Sequence, residues 1–427
     1  MLTESFESLS RKTCLILAAC AVSIAALQRM GGCGCVGFNA LSVSGGFAAF
    51  LCENLPWFEE AVMSVERLRS YISEIKSLDE SAMEKARLRQ AELAKPPGSL
   101  GVLEDISVRL AGISGELFYD TGKRCVIIMS ADNGVFEEGV ASTPQSVTYA
   151  QTVNFLRGIP GVSAIAKQFG ADLLVVDVGV NADIDVPQIK NKKIRKSTWN
   201  IAKGGAMTYD EAVSAILIGI ETAGEAAKSG YKLFGAGEMG IANTTTSAAV
   251  LSALTGLSAE KAAGKGAGLS DEAYRHKIHV VRSSIENNKP DVSDPIDVLA
   301  KVGGFDIAAL AGVFIGCAYN RVPVVIDGFI SMVAALAAAR LAPPAKEYMF
   351  ASHASFEHGF AHAAQALGVE PCLNLSMRLG EGSGCPIMFS VIDAACAVIR
   401  DMGTFAEAEI NDDYLEELRF GDKFSVN

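Results

Sequence analysis

GAGEMGIANTTTSAAVLSAL, residues 235–254, is the stretch that decides the fold class of this 427-residue chain. With the apolar residues before it, it predicts a buried strand that ends in a glycine-rich turn and continues into an alanine-rich helix. It matches neither a GKS or GKT phosphate loop nor a GxGxxG loop. Glycines let a backbone approach a ligand, and free amides at a helix N-terminus attract anions. On its residues alone, the turn is either a phosphate site or an ordinary N-capped helix.

The order of strand, turn and helix recurs along the chain. It is seen in RCVIIMSADNG at 124–134, DLLVVDVGVN at 172–181 and RVPVVIDGF at 321–329, and GGFDIAALAG at 303–312 shows the same pattern. Apolar runs without alternation suit strands buried on both faces, and strands that alternate with helices form parallel sheets. We therefore predict an α/β fold with a parallel sheet flanked by helices. Ligands bind beyond the carboxyl ends of such strands. The acids expected at those ends are Asp132, Asp177, Glu238 and Asp327.

The first 120 residues differ from this pattern. VERLRSYISEIKSL and SAMEKARLRQAELA, within residues 63–120, carry apolar positions at helical spacing. The two prolines of KPPGSLG at 95–101 break that run, because proline cannot continue a helix. We therefore expect a helical small-domain segment at 63–120, the α/β domain at 121–410 and a C-terminal tail at 411–427.

Residues 1–62 form an N-terminal extension with three open interpretations. From Thr13 to Gln28 there is no charged residue, and Arg11 and Lys12 come just before. This length suits the apolar region of a signal peptide, and LAAC at 17–20 resembles a lipoprotein cleavage site that would anchor Cys20. The alternatives are a poorly ordered extension and translation that begins upstream of a true start at Met63.

Composition excludes several classes of protein. A net charge of −12 and a pI near 5.1 argue against a general nucleic-acid binder, which shows a basic surface. The chain is 50% hydrophobic, which excludes global disorder. It has no apolar run of the ~20 residues that a membrane-spanning helix needs. It also lacks the GxSxG and HExxH motifs of serine hydrolases and zinc proteases.

The ten cysteines do not form a metal-binding pattern. Five lie in the first 52 residues, where CGC at 33–35 lacks the second cysteine pair or nearby histidine of a zinc site. The others stand singly in apolar stretches and are expected to be reduced thiols of the core. They are Cys125, Cys317, Cys372, Cys385 and Cys396. We expect no metal site.

A glutamate among glycines is a candidate general base. MRLGEGSGCPIM at 377–388 places Glu381 between glycines and aliphatic residues, ahead of an apolar helix. Burial there would raise the pKa of the carboxyl and suit it to accept a proton near neutral pH. The alternative is a solvent-facing loop glutamate.

Two further loops carry polar residues that could contact a ligand or serve the structure. GKGAGLSDEAYRHK at 264–277 offers Lys265, Asp271 and Lys277 as ligand contacts, although lysines more often form a solvated face. SHASFEHG at 352–359 holds His353 and His358, which we expect to be hydrogen-bonded structural residues rather than catalysts.

Nine of these strings occur in the order found in one enzyme family. They are KPPGSLG, EEGVASTPQ, VVDVGV, GEMGIANTTT, GKGAGLSDE, VGGFDIAALAG, VVIDGFI, SHASFEHG and MRLGEGSG. Each string alone is modest, but nine in order are highly specific. Over roughly residues 65–410 the chain resembles the nicotinate-nucleotide–dimethylbenzimidazole phosphoribosyltransferase family.

The resemblance implies a reaction. Phosphoribose would pass from nicotinate mononucleotide to 5,6-dimethylbenzimidazole or a related base, giving nicotinate and α-ribazole 5′-phosphate for the lower ligand of cobalamin. It also implies a Rossmann-like sheet, a small helical domain built largely from the N-terminal part, a homodimer in the cytoplasm, and no cofactor. The alternatives from other classes are a non-catalytic nucleotide-binding module on the same fold and a lipoprotein anchored at Cys20.

The resemblance also implies roles for individual residues. Glu381 is the expected base that deprotonates the incoming azole, and Glu238 lies in the same active site. The residues expected to bind the nucleotide and its phosphate are Gly240, Ile241, Asn243, Thr244, Thr245, Gly268, Asp271 and Lys277. The residues expected to bind the base are Ser142, Gln145, Gln151, Met377 and Leu379.

Three residues depart from the family's usual pattern, namely Asn133, Trp199 and Phe360. They leave Glu238, Glu381 and the Gly-Thr turn unchanged, so the implied reaction class is unaffected. Because Asn133 and Trp199 belong to motifs near the expected base site, we predict that bases other than dimethylbenzimidazole are accepted.

Overall fold

The computed structural model describes residues 56–266 and 268–411 of the chain. The chain divides into two compact units, residues 1–70 and residues 71–427. The described residues of the first unit belong to helix α1, which covers Pro56–Ser73, so the expected boundary at residue 62 falls within a helix. The uncharged stretch, the LAAC sequence, the first five cysteines and the tail from residue 412 onward lie outside the described residues.

Six strands of the described chain form one parallel sheet. They are β1 Lys123–Ala131, β2 Ala171–Gly179, β3 Lys190–Asn191, β4 Tyr231–Met239, β5 Val324–Ile326 and β6 Met349–Ala351. Their order is β3-β2-β1-β4-β5-β6, and each neighbouring pair is parallel. This is the order of a Rossmann-type doubly wound sheet, so the predicted fold class is confirmed. The direction of the order reverses between β1 and β4, and such folds bind their ligands at that point.

The long strands form where the sequence has unbroken apolar runs. The last seven residues of β1 are buried, and in β4 only Lys232 is not buried. Such strands lack alternation because both faces of the sheet are covered by helices. The edge strands β3 and β6 were not predicted, because β3 has two residues and β6 has three, and neither lies in an apolar run as long as the one around β5.

Helices connect the strands and cover the sheet. After β1 they are α4 Ser146–Leu156, α5 Gly161–Gln168, α6 Tyr209–Lys228, α7 Asn243–Thr255, α8 Ala259–Ala262, α9 Asp271–Asn288, α10 Pro295–Val302, α11 Phe305–Tyr319, α12 Phe329–Leu341, α13 Phe360–Leu367 and α14 Cys385–Asp401. Helix α11 packs against β1, β2 and β4, and α14 packs against β4 and β5. These contacts fix the starts of both helices relative to the strand ends.

Glycines allow α6 and α11 to approach closely. A Cβ added at Gly219 of α6 would clash with the Ala309 carbonyl oxygen, and one added at Gly312 of α11 would clash with that of Ile216. Any larger side chain at either glycine would separate the two helices. The contact therefore fixes the position of α11 on the sheet.

Two further helices precede the sheet, α2 Glu80–Glu92 and α3 Val102–Ser114. KPPGSLG lies between them, as the prolines predict. The helical pattern of the sequence runs on to Leu78, but α1 ends at Ser73. The Asp79 side chain instead accepts a hydrogen bond from Ala82 N at 3.0 Å and starts α2. Helices α2 and α3 pack with α14 through an apolar cluster.

One strand prediction is wrong. GGFDIAALAG at 303–312 has no strand before its helix, because only Gly303 and Gly304 separate α10 from α11. The cysteine prediction also needs a correction. All five described cysteines are free thiols and four are buried, but Cys372 is half-buried. None of the helices in the described ranges has the length and apolar character needed to cross a membrane.

Candidate active site

The acidic strand ends meet at the carboxyl edge of the sheet. Asp132 follows β1, Glu238 is the residue before the last in β4, and Asp327 follows β5. All three are buried. Since β1 and β4 are neighbours at the point where the strand order reverses, these carboxylates surround the expected ligand position. The sheet therefore gathers residues that are far apart in sequence into one site.

The Glu381 loop reaches this edge in an unusual conformation. Gly380, Glu381 and Gly382 have φ angles of 82°, 64° and 86°. A Cβ at Gly382 would lie 2.6 Å from Val126 Cγ1, so glycine is required for the loop to lie against β1. Asp327 holds the loop, because its carboxylate accepts from Gly382 N at 3.1 Å and from Gly384 N at 2.7 Å.

The carboxyl group of Glu381 is buried and hydrogen-bonded. Its Oε1 accepts from Gln151 Nε2 at 2.9 Å, and its Oε2 accepts from Val162 N at 3.4 Å near the start of α5. Burial raises the pKa of Glu381, although these donors act in the opposite direction. A carboxylate with a raised pKa and fixed orientation is suited to accept a proton from a nearby ligand.

Glu238 lies next to the Glu381 loop. Its Oε1 accepts from Glu381 N at 3.4 Å, and its Oε2 accepts from the Asn243 side-chain amide. Burial, reinforced by the charge of Asp306, raises the pKa of Glu238 to about 8. Two acidic side chains of different surroundings therefore line one site.

The start of α7 has the features of an anion site. Gly240, Ile241 and Ala242 precede the helix, and Ala242 has a left-handed backbone with φ of 73°. The hydroxyl of Thr245 is buried without a hydrogen-bond partner among the described residues. A helix N-terminus favours a negative group, and a buried hydroxyl without a partner can donate a hydrogen bond to it.

Lys277 adds a positive charge beside this helix start. The side chain is fully buried, and its Nζ donates to Thr244 Oγ1 at 2.8 Å. Burial lowers the pKa of Lys277 to about 8, while Glu357 acts in the opposite direction. A phosphate placed here would neutralise the buried ammonium group and raise its pKa again.

Two residues expected in the nucleotide site, Asp271 and Gly268, form no hydrogen bond with Lys277 in the described part of the chain. Asp271, the first residue of α9, forms an exposed ion pair with Lys265 at 2.5 Å. Gly268 lies in the loop just before that helix, in a left-handed conformation with φ of 115°. The structure thus places Asp271 at the surface and gives it no contact with Lys277 or Thr244.

The expected base-binding residues divide into two groups. Gln151 bonds to Glu381, and Leu379 lies against the start of α5, where a Cβ at Gly161 would be 2.6 Å from Leu379 Cδ2. Gln145 accepts from Asn181 Nδ2 at 3.2 Å instead. Ser142 is exposed and Met377 is half-buried, and neither side chain has a described contact with Glu381.

The three residues that depart from the family pattern have different surroundings. Asn133 is fully buried at the end of β1, and its Oδ1 accepts from Thr246 Oγ1 at 3.3 Å. Trp199 is 52% exposed and lies 4.0 Å from the Arg195 guanidinium. Phe360 begins α13 and is buried. Only Asn133 is bonded into the carboxylate site.

Sequence reasoning missed several residues of the site. Thr148 of α4 accepts from Ile241 N at 3.1 Å and so holds the turn before α7. Asp306, fully buried in the first turn of α11, bonds to Asn243. Asp306 follows Phe305 in the string GGFD, and this local sequence gives no sign of the residues that Asp306 meets from other elements. His353 is buried with its Nδ1 3.0 Å from Ser352 Oγ, and His358 is exposed.

Known proteins match nearly all of the described chain. A phosphoribosyltransferase family model matches residues 75–410. The nicotinate-nucleotide–dimethylbenzimidazole phosphoribosyltransferase of Clostridium perfringens is 53% identical over 352 residues, which cover 82% of this chain and 98% of that protein. The enzyme of the same name from Acetivibrio thermocellus is 53% identical over 337 residues, covering 79% and 96%. The crystal structure of CobT from Thermus thermophilus has a TM-score of 0.75 at 38% identity and covers 78% of this chain and 99% of its own.

Proposed function

Because this chain belongs to the nicotinate-nucleotide–dimethylbenzimidazole phosphoribosyltransferase family, we infer that it transfers phosphoribose from nicotinate mononucleotide to 5,6-dimethylbenzimidazole or a related base. The products are nicotinate and α-ribazole 5′-phosphate, which supplies the lower ligand of cobalamin. The observation that carries this function is the buried Glu381, bonded to Gln151 beside the start of α5. A non-catalytic nucleotide-binding module would have no use for such a carboxylate.

Glu381 is proposed as the general base. The glycosidic bond of nicotinate mononucleotide is already activated by the positive ring nitrogen, so the enzyme's task is to make the azole a better nucleophile. Glu381 would take the azole proton, and attack from the face opposite nicotinate would invert the anomeric carbon to give the α-nucleotide. Its raised pKa favours proton acceptance near neutral pH, because an acid of ordinary pKa is a weaker base.

The phosphate is proposed to bind where α7 starts. Gly240, Ile241 and Asn243 supply the turn, Thr244 and Thr245 supply hydroxyls, and Lys277 supplies charge. This assignment is supported by the free Thr245 hydroxyl and by the bond between Lys277 and Thr244. Gly268 and Asp271 would act through the loop that leads to Lys277, with Asp271 restraining the loop through Lys265. Holding the phosphate and both rings in line would supply most of the remaining catalysis.

The incoming azole is proposed to lie between Gln151 and Leu379. Gln151 already donates to Glu381, so it can orient the carboxylate toward an azole N–H. Leu379 is 56% exposed, which leaves an aliphatic side chain free to cover an aromatic ring. Ser142, Gln145 and Met377 would complete the pocket from the segments on either side.

The test is incubation of the protein with nicotinate mononucleotide and a panel of azoles and purines, followed by identification of products. We expect α-ribazole 5′-phosphate with dimethylbenzimidazole and further α-nucleotides with other bases. Absence of any nucleotide product would remove the proposed function. A single product from dimethylbenzimidazole would show that Asn133 and Trp199 do not widen the choice of base.

The enzyme's partners are small molecules, and we propose that it works as a homodimer in the cytoplasm. Sedimentation would give the mass of the assembly, and mass spectrometry of the mature protein would show any lipid on Cys20.

A further inference from the structure

Asp306 is a fully buried carboxylate that the mechanism above does not use. It lies in the first turn of α11, just after Gly303 and Gly304. Its Oδ1 accepts from Ile307 N at 3.0 Å, and its Oδ2 accepts from Asn243 Nδ2 at 3.1 Å and from Asn133 Nδ2 at 3.4 Å. Three N–H donors therefore converge on this side chain.

One amide links Asp306 to the active site. The Asn243 side-chain nitrogen that donates to Asp306 also donates to Glu238 Oε2. Each of its two hydrogens can thus serve one carboxyl group. Asn243 is the first residue of α7, so the linkage joins β4, α7 and α11.

The charged groups that face Glu238 are all acidic. They are Asp306 from α11 and Asp327 from the end of β5. The backbone amide of Glu381, in the neighbouring loop, donates a hydrogen bond to Glu238. Among the described residues, no cation contributes to the raised pKa of Glu238 or of Asp306. Two carboxyl groups that share one donor in a buried site cannot readily both be ionised.

The donors decide which of the two carboxyl groups holds the proton. Asp306 receives three N–H donors, whereas Glu238 receives the shared amide and a long bond from Glu381 N. Donors stabilise the charged form, so Asp306 is the better anion. The pKa values agree, because burial raises that of Asp306 to about 6 and that of Glu238 to about 8.

We propose that Asp306 is a positioning residue that orients Glu238 through the shared Asn243 amide and keeps the Glu238 carboxyl group protonated at neutral pH. In that state Glu238 offers a hydrogen-bond donor to a bound nucleotide, where an ionised carboxylate could only accept. This inference rests on the proposed function only in counting Glu238 among the active-site groups.

The experiment is an infrared titration of the protein without substrate. The band of a protonated carboxylic acid that disappears in Glu238→Gln reports the protonation of Glu238. In the wild type we expect this band at pH 7, with a midpoint near pH 8. In Asp306→Asn the like charge is gone, so we expect the midpoint to fall by about one pH unit or more.

A matched control is Asp177→Asn. Asp177 is also a buried acid of the sheet, in β2, but it pairs with Lys193 at 2.8 Å and does not contact Asn243. This variant should leave the Glu238 midpoint unchanged. An unshifted midpoint in folded Asp306→Asn would overturn the proposal. If that variant does not fold, the titration of the wild type still tests the proposal. A Glu238 band that disappears below pH 6 would show that Glu238 is ionised at neutral pH.

Since no substrate is present, failure of this titration is separate from failure of the transferase reaction. A protein that turns over normally but titrates Glu238 at low pH would retain its function and lose only the role of Asp306. A protein with the expected titration and no turnover would keep the role of Asp306 and lose the proposed transferase function.

Discussion

Glu381→Gln is the variant that tests the proposed base most directly. Glutamine has the shape of the glutamate side chain and can still accept from Gln151, but it cannot take up the azole proton. General-base catalysis is worth ~10²–10⁴ in rate, or about 3–5 kcal/mol. We therefore expect turnover to fall by that factor while both substrates still bind.

The structure allows a loss of proton transfer to be distinguished from a general disturbance of the hydrogen bonds around residue 381. The bond from Gln151 Nε2 at 2.9 Å survives the change if the glutamine oxygen takes the place of Oε1. Its NH₂ then faces Val162 N, where Oε2 now accepts at a long 3.4 Å. Losing that bond leaves the buried Val162 N–H without an acceptor, which costs about 1–3 kcal/mol. A disturbed site would weaken substrate binding as well, so a fall in turnover of a hundredfold or more at unchanged affinity would come from proton transfer.

The assay measures α-ribazole 5′-phosphate by chromatography at saturating substrates, with nucleotide affinity measured by calorimetry. Glu238→Gln is the matched variant. If Glu238 is protonated in the free enzyme, its neutral amide replacement should lose less turnover than Glu381→Gln. Near-normal turnover in Glu381→Gln together with collapse in Glu238→Gln would reverse the two roles and make Glu238 the base.

Three further predictions concern the phosphate, the extension and the buried acid. Lys277→Ala should weaken binding of nicotinate mononucleotide more than binding of the azole, as calorimetry can show, and equal nucleotide affinity in mutant and wild type would remove Lys277 from the phosphate site. A protein that starts at Met63 should fold and turn over normally, because the family match begins at residue 75, so a folded but inactive truncation would contradict this prediction. Glu238 has a folded-state pKa raised to about 8, so its contribution to the free energy of unfolding is present at low pH and is lost as the pH rises toward that value. Denaturant unfolding should therefore show Glu238→Gln gaining stability relative to wild type between about pH 5 and pH 8, and a constant difference across that range would argue against the raised pKa.

The sheet could be predicted because its signal is local. An unbroken apolar run such as VIIM needs no partner to indicate a doubly buried strand, and a glycine or acid marks where the strand ends. The contacts that make the site are different, because they join separate elements. Nothing near Gln151 indicates that it meets Glu381, 230 positions further along, and its role came only from the family resemblance.

The spacing of residues in helix α9 distinguishes its buried face from its exposed face. Lys277 shares its buried face with Val280, Val281 and Ser284, at the spacing of three, four and seven residues that marks one side of a helix. Asp271, six residues earlier, falls on another side and is exposed. Helical spacing alone could therefore have separated the buried lysine from the surface acid. No such rule could have found Asp306, whose partners come from β1 and α7.

The left-handed backbone of Glu381 gives a way to distinguish selection for activity from selection for folding. A non-glycine residue in this region costs about 1–2 kcal/mol, and its neighbours Gly380 and Gly382 have the same sign of φ. If only the fold mattered, glycine would be the favoured residue at all three positions. Substitution of Glu381 by glycine should therefore relieve the backbone strain, while turnover falls at least as far as in Glu381→Gln. In a population under no selection for the product, residue 381 would be among the first to be substituted.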